Sequence, residues 1–159
     1  MEKSLIKSNA KINLALNVIG KKKLLHNIES LICFIDLHDI ISISQCHSNK
    51  HHISFFGKFS KSISKKNTIS RLLQILDQKN LLKNKKFKIR VKKNIPQKAG
   101  LGGGSMNAAS LLNYLIKKKI INLNHKKIQS ICNLIGSDVF LGTISSSCVL
   151  SSNGRVEKI

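Results

Sequence analysis

The sequence predicts an α+β domain, an antiparallel or mixed sheet with helices on one face. Three observations carry this. Apolar runs, partly alternating and rich in Ile, Leu and Val, fill the first third of the chain as strands would. Three later segments repeat apolar residues at helical spacing. Between the strands and the last two helices lies a glycine cluster: Gly100, Gly102, Gly103 and Gly104. With 159 residues, 42% of them hydrophobic, the chain has enough material for one domain with its own core.

The elements follow in order. Ala10 to Ile19 reads as a strand with Ile12, Leu14, Leu16 and Val18 on one face, and Gly20 with its lysines as a turn. Ile28 to Ile35 and Ile40 to Ser44 read as two strands joined by Asp36 to Asp39, and His52 to Phe56 as a short fourth. Phe59 to Lys66 is a polar, lysine-rich loop. Asn67-Thr68 then opens a helix over Thr68 to Leu82, with Ile69, Leu72, Leu73, Ile75, Leu76 and Leu81 at helical spacing. Phe87, Ile89 and Val91 mark a further strand. After the glycines, Ala108, Leu111, Leu112, Leu115 and Ile116 form one helix face, and His125 to Leu134 forms another helix. Ser147 to Ile159 reads as a strand or hairpin turning at Asn153-Gly154.

Composition narrows the function. No apolar run approaches the roughly 18–20 residues of a membrane span, and MEKSLIKSNAKINLAL lacks a signal-peptide layout. The expectation is a cytoplasmic protein with no membrane partner. The net charge of +21 would suit RNA, yet only three of the 28 basic residues are arginines (Arg71, Arg90, Arg155). The lysines are spread along the whole chain, and aromatics make up 4%. That pattern resembles compositional drift toward Lys, Ile and Asn more than an arginine-rich, stacking nucleic-acid surface. The cysteines (Cys33, Cys46, Cys132, Cys148) are widely spaced with no C-x-x-C pair, so zinc is not expected, and Cys33 and Cys132 read as small core residues. Seven carboxylates are the whole acidic inventory, Asp39 and Asp138 among them.

Pro96 to Ala109, PQKAGLGGGSMNAA, carries the most chemistry. Glycines let backbone N–H groups converge without Cβ interference, and the helix that follows adds free donors and a partial positive charge. Together they make an anion cradle. The stretch matches neither G-x-x-x-x-G-K-[ST] nor G-x-G-x-x-G, so another class of phosphate loop is required.

Such a class exists. SNAKINLALNVIG (Ser8 to Gly20), LHNIESLICFIDLHD (Leu25 to Asp39), IPQKAGLGGGSMNAA (Ile95 to Ala109) and IGSDV (Ile135 to Val139) together resemble the GHMP kinase superfamily. They are most similar to its branch that phosphorylates 4-diphosphocytidyl-2-C-methyl-D-erythritol on the 2-hydroxyl, in non-mevalonate isoprenoid synthesis. The resemblance implies a fold like ribosomal protein S5 domain 2, with 1–159 as the N-terminal, ATP-binding domain. It implies ATP and Mg²⁺ as cofactors, and a Lys11–Asp138 pair at the acceptor hydroxyl. Asp138 would take or orient the proton, and Lys11 would pair with the carboxylate and stabilise developing charge. ATP would be bound by Pro96, Gln97, Lys98, Ala99, Gly100, Leu101, Gly102, Gly103, Gly104, Ser105 and Met106. Ser105 would also reach phosphate-bound Mg²⁺, and Asn107 would add contacts. His26 and Asn13 would touch substrate.

The chain departs from the pattern where Leu25 replaces a tyrosine before the histidine, where Lys98-Ala99 and Met106 stand in the loop, and where Phe140 replaces a proline. The family's C-terminal domain, expected to close the cleft, is not among these segments, so a C-terminal-half polypeptide is an expected partner. Two other readings stay open: a truncated or split relic without independent activity, and a basic RNA-binding module of the same fold.

Overall fold

The computed structural model describes residues 3–22, 25–144, 146–151 and 156–159, with backbone alone for 21, 22, 25–28 and 158. A six-stranded mixed sheet has three helices and a short fourth packed on it. The strands are β1 (Ser4–Lys22), β2 (Leu25–Cys46), β3 (His52–Phe56), β4 (Lys86–Lys92), β5 (Cys148–Leu150) and β6 (Val156–Lys158). The helices are α1 (Thr68–Gln78), α2 (Gly103–Lys117), α3 (His125–Ile135) and α4 (Val139–Ile144).

β2 organises the sheet. β1 runs antiparallel along it from Ser4↔Ile43 to Lys22↔Leu25. Two strands share its other edge: β4 pairs residues 40–46 and β5 pairs residues 30–32, both antiparallel. β3 joins β4 in parallel, after which the chain crosses through α1. The alternation of β4 decides which face the helices cover. Phe87, Ile89 and Val91 are buried with Ile41 and Ile43 against Leu72, Leu76, Leu111 and Leu115, while Lys88, Arg90 and Lys92 face outward.

Several expectations change. The two strands expected at 28–35 and 40–44 are one continuous strand. Asp36 and Asp39, read as turn formers, instead lie at a bulge, where the register jumps from Asn9↔His38 to Ala10↔Ile35. Lys7 Nζ holds the Asp36 carboxylate at 2.7 Å, and Asn9 Nδ2 donates to Ile35 O at 2.8 Å, so side chains stabilise the irregularity. β1 is longer than Ala10 to Ile19, and its apolar alternation is not a core face: Leu14, Leu16 and Val18 are each more than half exposed. α1 ends at Gln78 rather than Leu82, because Asn80, Lys83 and Asn84 adopt positive φ in the turns that follow. Its start is as expected, with Asn67 capping the Ser70 amide in a reciprocal box. α4 was not expected. β5 and β6 do pair antiparallel, while the Asn153-Gly154 turn lies outside the described residues. Cys132 is fully buried, and that burial pushes its thiol up to about 11; Cys33 is only half-buried.

Candidate active site

The glycine loop leaves β4 and turns into α2. Gly100 and Gly102 sit at φ +72° and +66°, the left-handed region that favours glycine. Gly102 is the N-cap of α2 and brings no side-chain cap. The first intrahelical bond runs from Met106 N–H to Gly102 O at 2.9 Å. The amides of Gly103, Gly104 and Ser105 therefore precede the helical ladder, at the positive end of a 15-residue helix. They open on a cleft of about 370 Å³, walled by the loop on one side and by Phe55, Ile63 and Thr68 on the other. Thr68 Oγ1 donates to Gly104 O at 2.6 Å, tying the start of α1 to the start of α2. Gln97 Nε2 donates to Phe59 O (2.8 Å) and Lys61 O (2.6 Å), pinning the loop to the segment after β3.

Lys11 lies against the loop. Its amide donates to Leu101 O at 3.1 Å, and a Cβ on Gly102 would come within 2.8 Å of its Cγ. Lys11 follows the register jump at Asn9/Ala10, and it and Ala10, neighbours in sequence, are both buried. Lys11 Nζ lies 3.2 Å from Asp138 Oδ2 and donates to Asn13 Oδ1 at 3.1 Å. Asp138 follows Gly136, the C-cap of α3, and its side chain is 37% exposed. The result is a helix N-terminus next to a cation–carboxylate pair whose carboxylate is partly open to solvent. Such a site can hold a polyphosphate and take a proton from a neighbouring hydroxyl.

Residues 67–149 match the GHMP kinases N terminal domain. The chain belongs to the GHMP kinase family. A protein of Pelagibacter ubique (strain HTCC1062) named 4-diphosphocytidyl-2-C-methyl-D-erythritol kinase is 63% identical over 96% of this chain and 54% of its own length. One of the same name from Finegoldia magna is 37% identical over 91% of this chain and 51% of its own. The chain thus spans about half the length of the curated relatives it matches. A crystal structure of 4-(cytidine 5'-diphospho)-2C-methyl-D-erythritol kinase superposes with a TM-score of 0.79 at 22% identity, covering 98% of this chain and 55% of that one. Mevalonate pyrophosphate decarboxylase from Streptococcus pyogenes superposes at 0.68 and 16% identity, over 99% and 51%. Those two likenesses speak for the fold.

In this GHMP kinase domain the residues expected around the loop are brought together, Pro96 to Ser105 at the cleft and Lys11, Asn13 and Asp138 beside it. Met106 is a correction. Its side chain is 1% exposed, its amide is used by Gly102, and its Sδ and Cε pack near Gly142, so it belongs to the core. Asn107 is also turned inward, donating from Nδ2 to Asp39 Oδ2 at 2.9 Å. His26 pairs with Lys21 far along the β1–β2 hairpin, eight residues from Phe34, the partner of Lys11. That is about 27 Å of strand, so the fold does not place it at the couple; its side chain lies outside the described residues. Sequence reading missed Thr68, Asp39 and Lys93, all bonded beside or beneath the loop. Their only signal was that Asp39 is one of seven carboxylates.

Proposed function

We propose that residues 1–159 are the N-terminal, nucleotide-binding domain of a cytoplasmic small-molecule kinase that phosphorylates the 2-hydroxyl of 4-diphosphocytidyl-2-C-methyl-D-erythritol at the expense of ATP. One observation carries the reading: the 3.2 Å Lys11–Asp138 pair stands against the same loop whose uncapped helix end faces the cleft. The names of the relatives support the substrate.

The residues fit a nucleotide. Among the described residues no side chain caps the three N-terminal amides of α2, and the cleft beside them is open. ATP bound there supplies the phosphoryl group. The amides of Gly103, Gly104 and Ser105 hold the polyphosphate and stabilise its charge through the helix end. Asp138 accepts the acceptor hydroxyl's proton and orients the oxygen. Lys11 fixes that carboxylate and offsets the charge that develops beside it. Asn13, which accepts from Lys11 Nζ, contacts substrate beside the pair. Among the described residues no three His, Cys, Asp or Glu side chains converge on a metal position. Mg²⁺ would be carried on the phosphates, and Ser105, which lines the cleft, is the residue whose hydroxyl would help to hold it.

A C-terminal-half polypeptide completes the cleft. The exposed Leu14, Leu16 and Val18 of β1 suit such a neighbour, since they leave an apolar row on a sheet edge. The test is ATP-dependent phosphorylation of 4-diphosphocytidyl-2-C-methyl-D-erythritol by the chain, alone and mixed with the C-terminal half of the Pelagibacter ubique relative. Product with wild type and none with Asp138→Asn is expected. Equal rates in the two would remove Asp138 from the reaction. No product in any mixture would count against the kinase reading.

A further inference from the structure

Asp39 lies under the site and never reaches it. It is 0% exposed, yet both its oxygens bond the segments that carry the glycine loop. Oδ1 accepts from the backbone N–H groups of Asn94 (2.8 Å) and Ile95 (2.9 Å), where the chain leaves β4. Oδ2 accepts from Lys93 Nζ and from Asn107 Nδ2 (2.9 Å), the latter in the second turn of α2. Lys93 is itself buried, and its Nζ lies 3.3 Å from where a Cβ on Gly103 would stand. One carboxylate thus joins β2, the start of the loop and α2, and neutralises a cation placed beneath Gly103. Core filling alone would be served as well by an apolar residue of similar volume, since a buried ion pair is a poor source of stability. What the carboxylate adds is geometry. Its bonds are charge-assisted, three from the consecutive residues Lys93 to Ile95 at the loop entrance and one from Asn107 in α2.

We infer that Asp39 is a positioning residue for nucleotide binding: it holds the loop entrance, Lys93 and α2 in the one arrangement that lets the Gly103, Gly104 and Ser105 amides converge. This rests on the nucleotide reading above. In Asp39→Asn, Oδ1 still accepts from Asn94 and Ile95, but the new amide meets Lys93 and Asn107 donor against donor. The exchange variant Asp39→Asn/Asn107→Asp puts the carboxylate back across the same hydrogen bond, next to Lys93, at unchanged net charge.

The experiment is calorimetric titration of the full chain with ATP, alongside thermal melting and the amide resonances of Gly103, Gly104 and Ser105. Wild type binds ATP. Asp39→Asn weakens binding by about tenfold or more and shifts those amides, and the exchange variant recovers most of the affinity. A folded Asp39→Asn that melts lower but binds ATP as wild type does would overturn the inference, because Asp39 would then be structural only. Should Asp39→Asn not fold, the exchange variant decides: folded with wild-type affinity it upholds the role, folded without affinity it ends it. Wild type that binds no ATP would sink the nucleotide reading itself, and the inference with it.

Discussion

Replacing Gly102 by alanine and replacing Gly100 by alanine are expected to share a backbone cost and to differ in packing and chemistry. Both residues sit in the left-handed region, at φ +66° and +72°. Alanine there costs roughly 1–2 kcal/mol, which lowers the melting temperature of a chain this size by about 3–6 °C. The surroundings differ. A Cβ on Gly100 meets nothing within 4 Å, whereas one on Gly102 lies 2.8 Å from Lys11 Cγ and 3.3 Å from its Cε. The lysine stem must withdraw by roughly half an ångström to reach ordinary contact. It is anchored at both ends, by its amide bond to Leu101 O and by the ion pair with Asp138, so the shift passes to Nζ. Misplacement on this scale slows an aligned reaction by about tenfold or more, up to a hundredfold for an ångström. The assays are thermal melting, the rate of phosphoryl transfer and the ¹³C resonance of the Asp138 carboxyl, which reports the pair with or without turnover. Gly100→Ala should keep the wild-type rate and resonance, and Gly102→Ala should lose both. Equal rates and equal carboxyl shifts in the two variants would refute the claim that Gly102 exists to make room for Lys11.

Asp138→Asn should slow transfer by about 10²–10⁴-fold while leaving ATP affinity in place, since the acceptor side and not the loop is altered; steady-state kinetics and calorimetry separate the two. His51 gives a pH dependence. Phe87 N–H donates to its Nδ1 at 3.1 Å, and its Nε2 lies 3.1 Å from Asp77 Oδ2, an oxygen that Lys86 Nζ also bonds at 2.6 Å. Burial pushes the His51 pKa below its ordinary 6.5, against the pull of Asp77 and with Lys86 and His52 lowering it further. The unfolded chain then binds the proton more readily, so this contribution is present above pH 6.5 and is lost as pH falls below it. The urea midpoint should drop between about pH 7.5 and 5.5, and His51→Gln should flatten the drop. Gly142→Ala places a Cβ 2.6 Å from Ala109 Cβ and should cost about 1–3 kcal/mol, with Ala109→Gly restoring part of the loss in a melting experiment.

Local signals were legible in the chain. Apolar spacing gave α1 and α3 because each has one face in the core and one in water, and it gave α2 although only Gly104 and Lys117 of that helix are exposed. The glycine cluster showed the cradle because left-handed backbone selects that residue type. The Lys11–Asp138 pair could be read only through resemblance, since the two stand 127 residues apart and no rule of periodicity links them. Asp36 and Asp39 misled for a physical reason: aspartate favours turns, but it serves equally well to hold a bulge or to bury a charge opposite a lysine. The partners of Asp39 lie 54 to 68 residues away, beyond any local pattern. The alternation in β1 suggested a core face, yet Leu14, Leu16 and Val18 are exposed, because alternation marks two faces without saying what covers either. α4 is only six residues long, too short for a period to show.

The shared edge of β2 has a further consequence. β4 takes residues 40–46 and β5 takes 30–32, and between them residues 33–39 have no strand partner on that side among the described residues. Asn94 fills part of the interval, its Nδ2 donating to His38 O at 2.9 Å. The strand that leads into the glycine loop pairs beyond one end of this interval, and the strand that follows Asp138 and α4 pairs beyond the other. The interval therefore acts as a ruler. Its length in residues sets how far apart β4 and β5 meet β2, and one residue more or less within it would turn the side chains beyond it to the opposite face of the sheet.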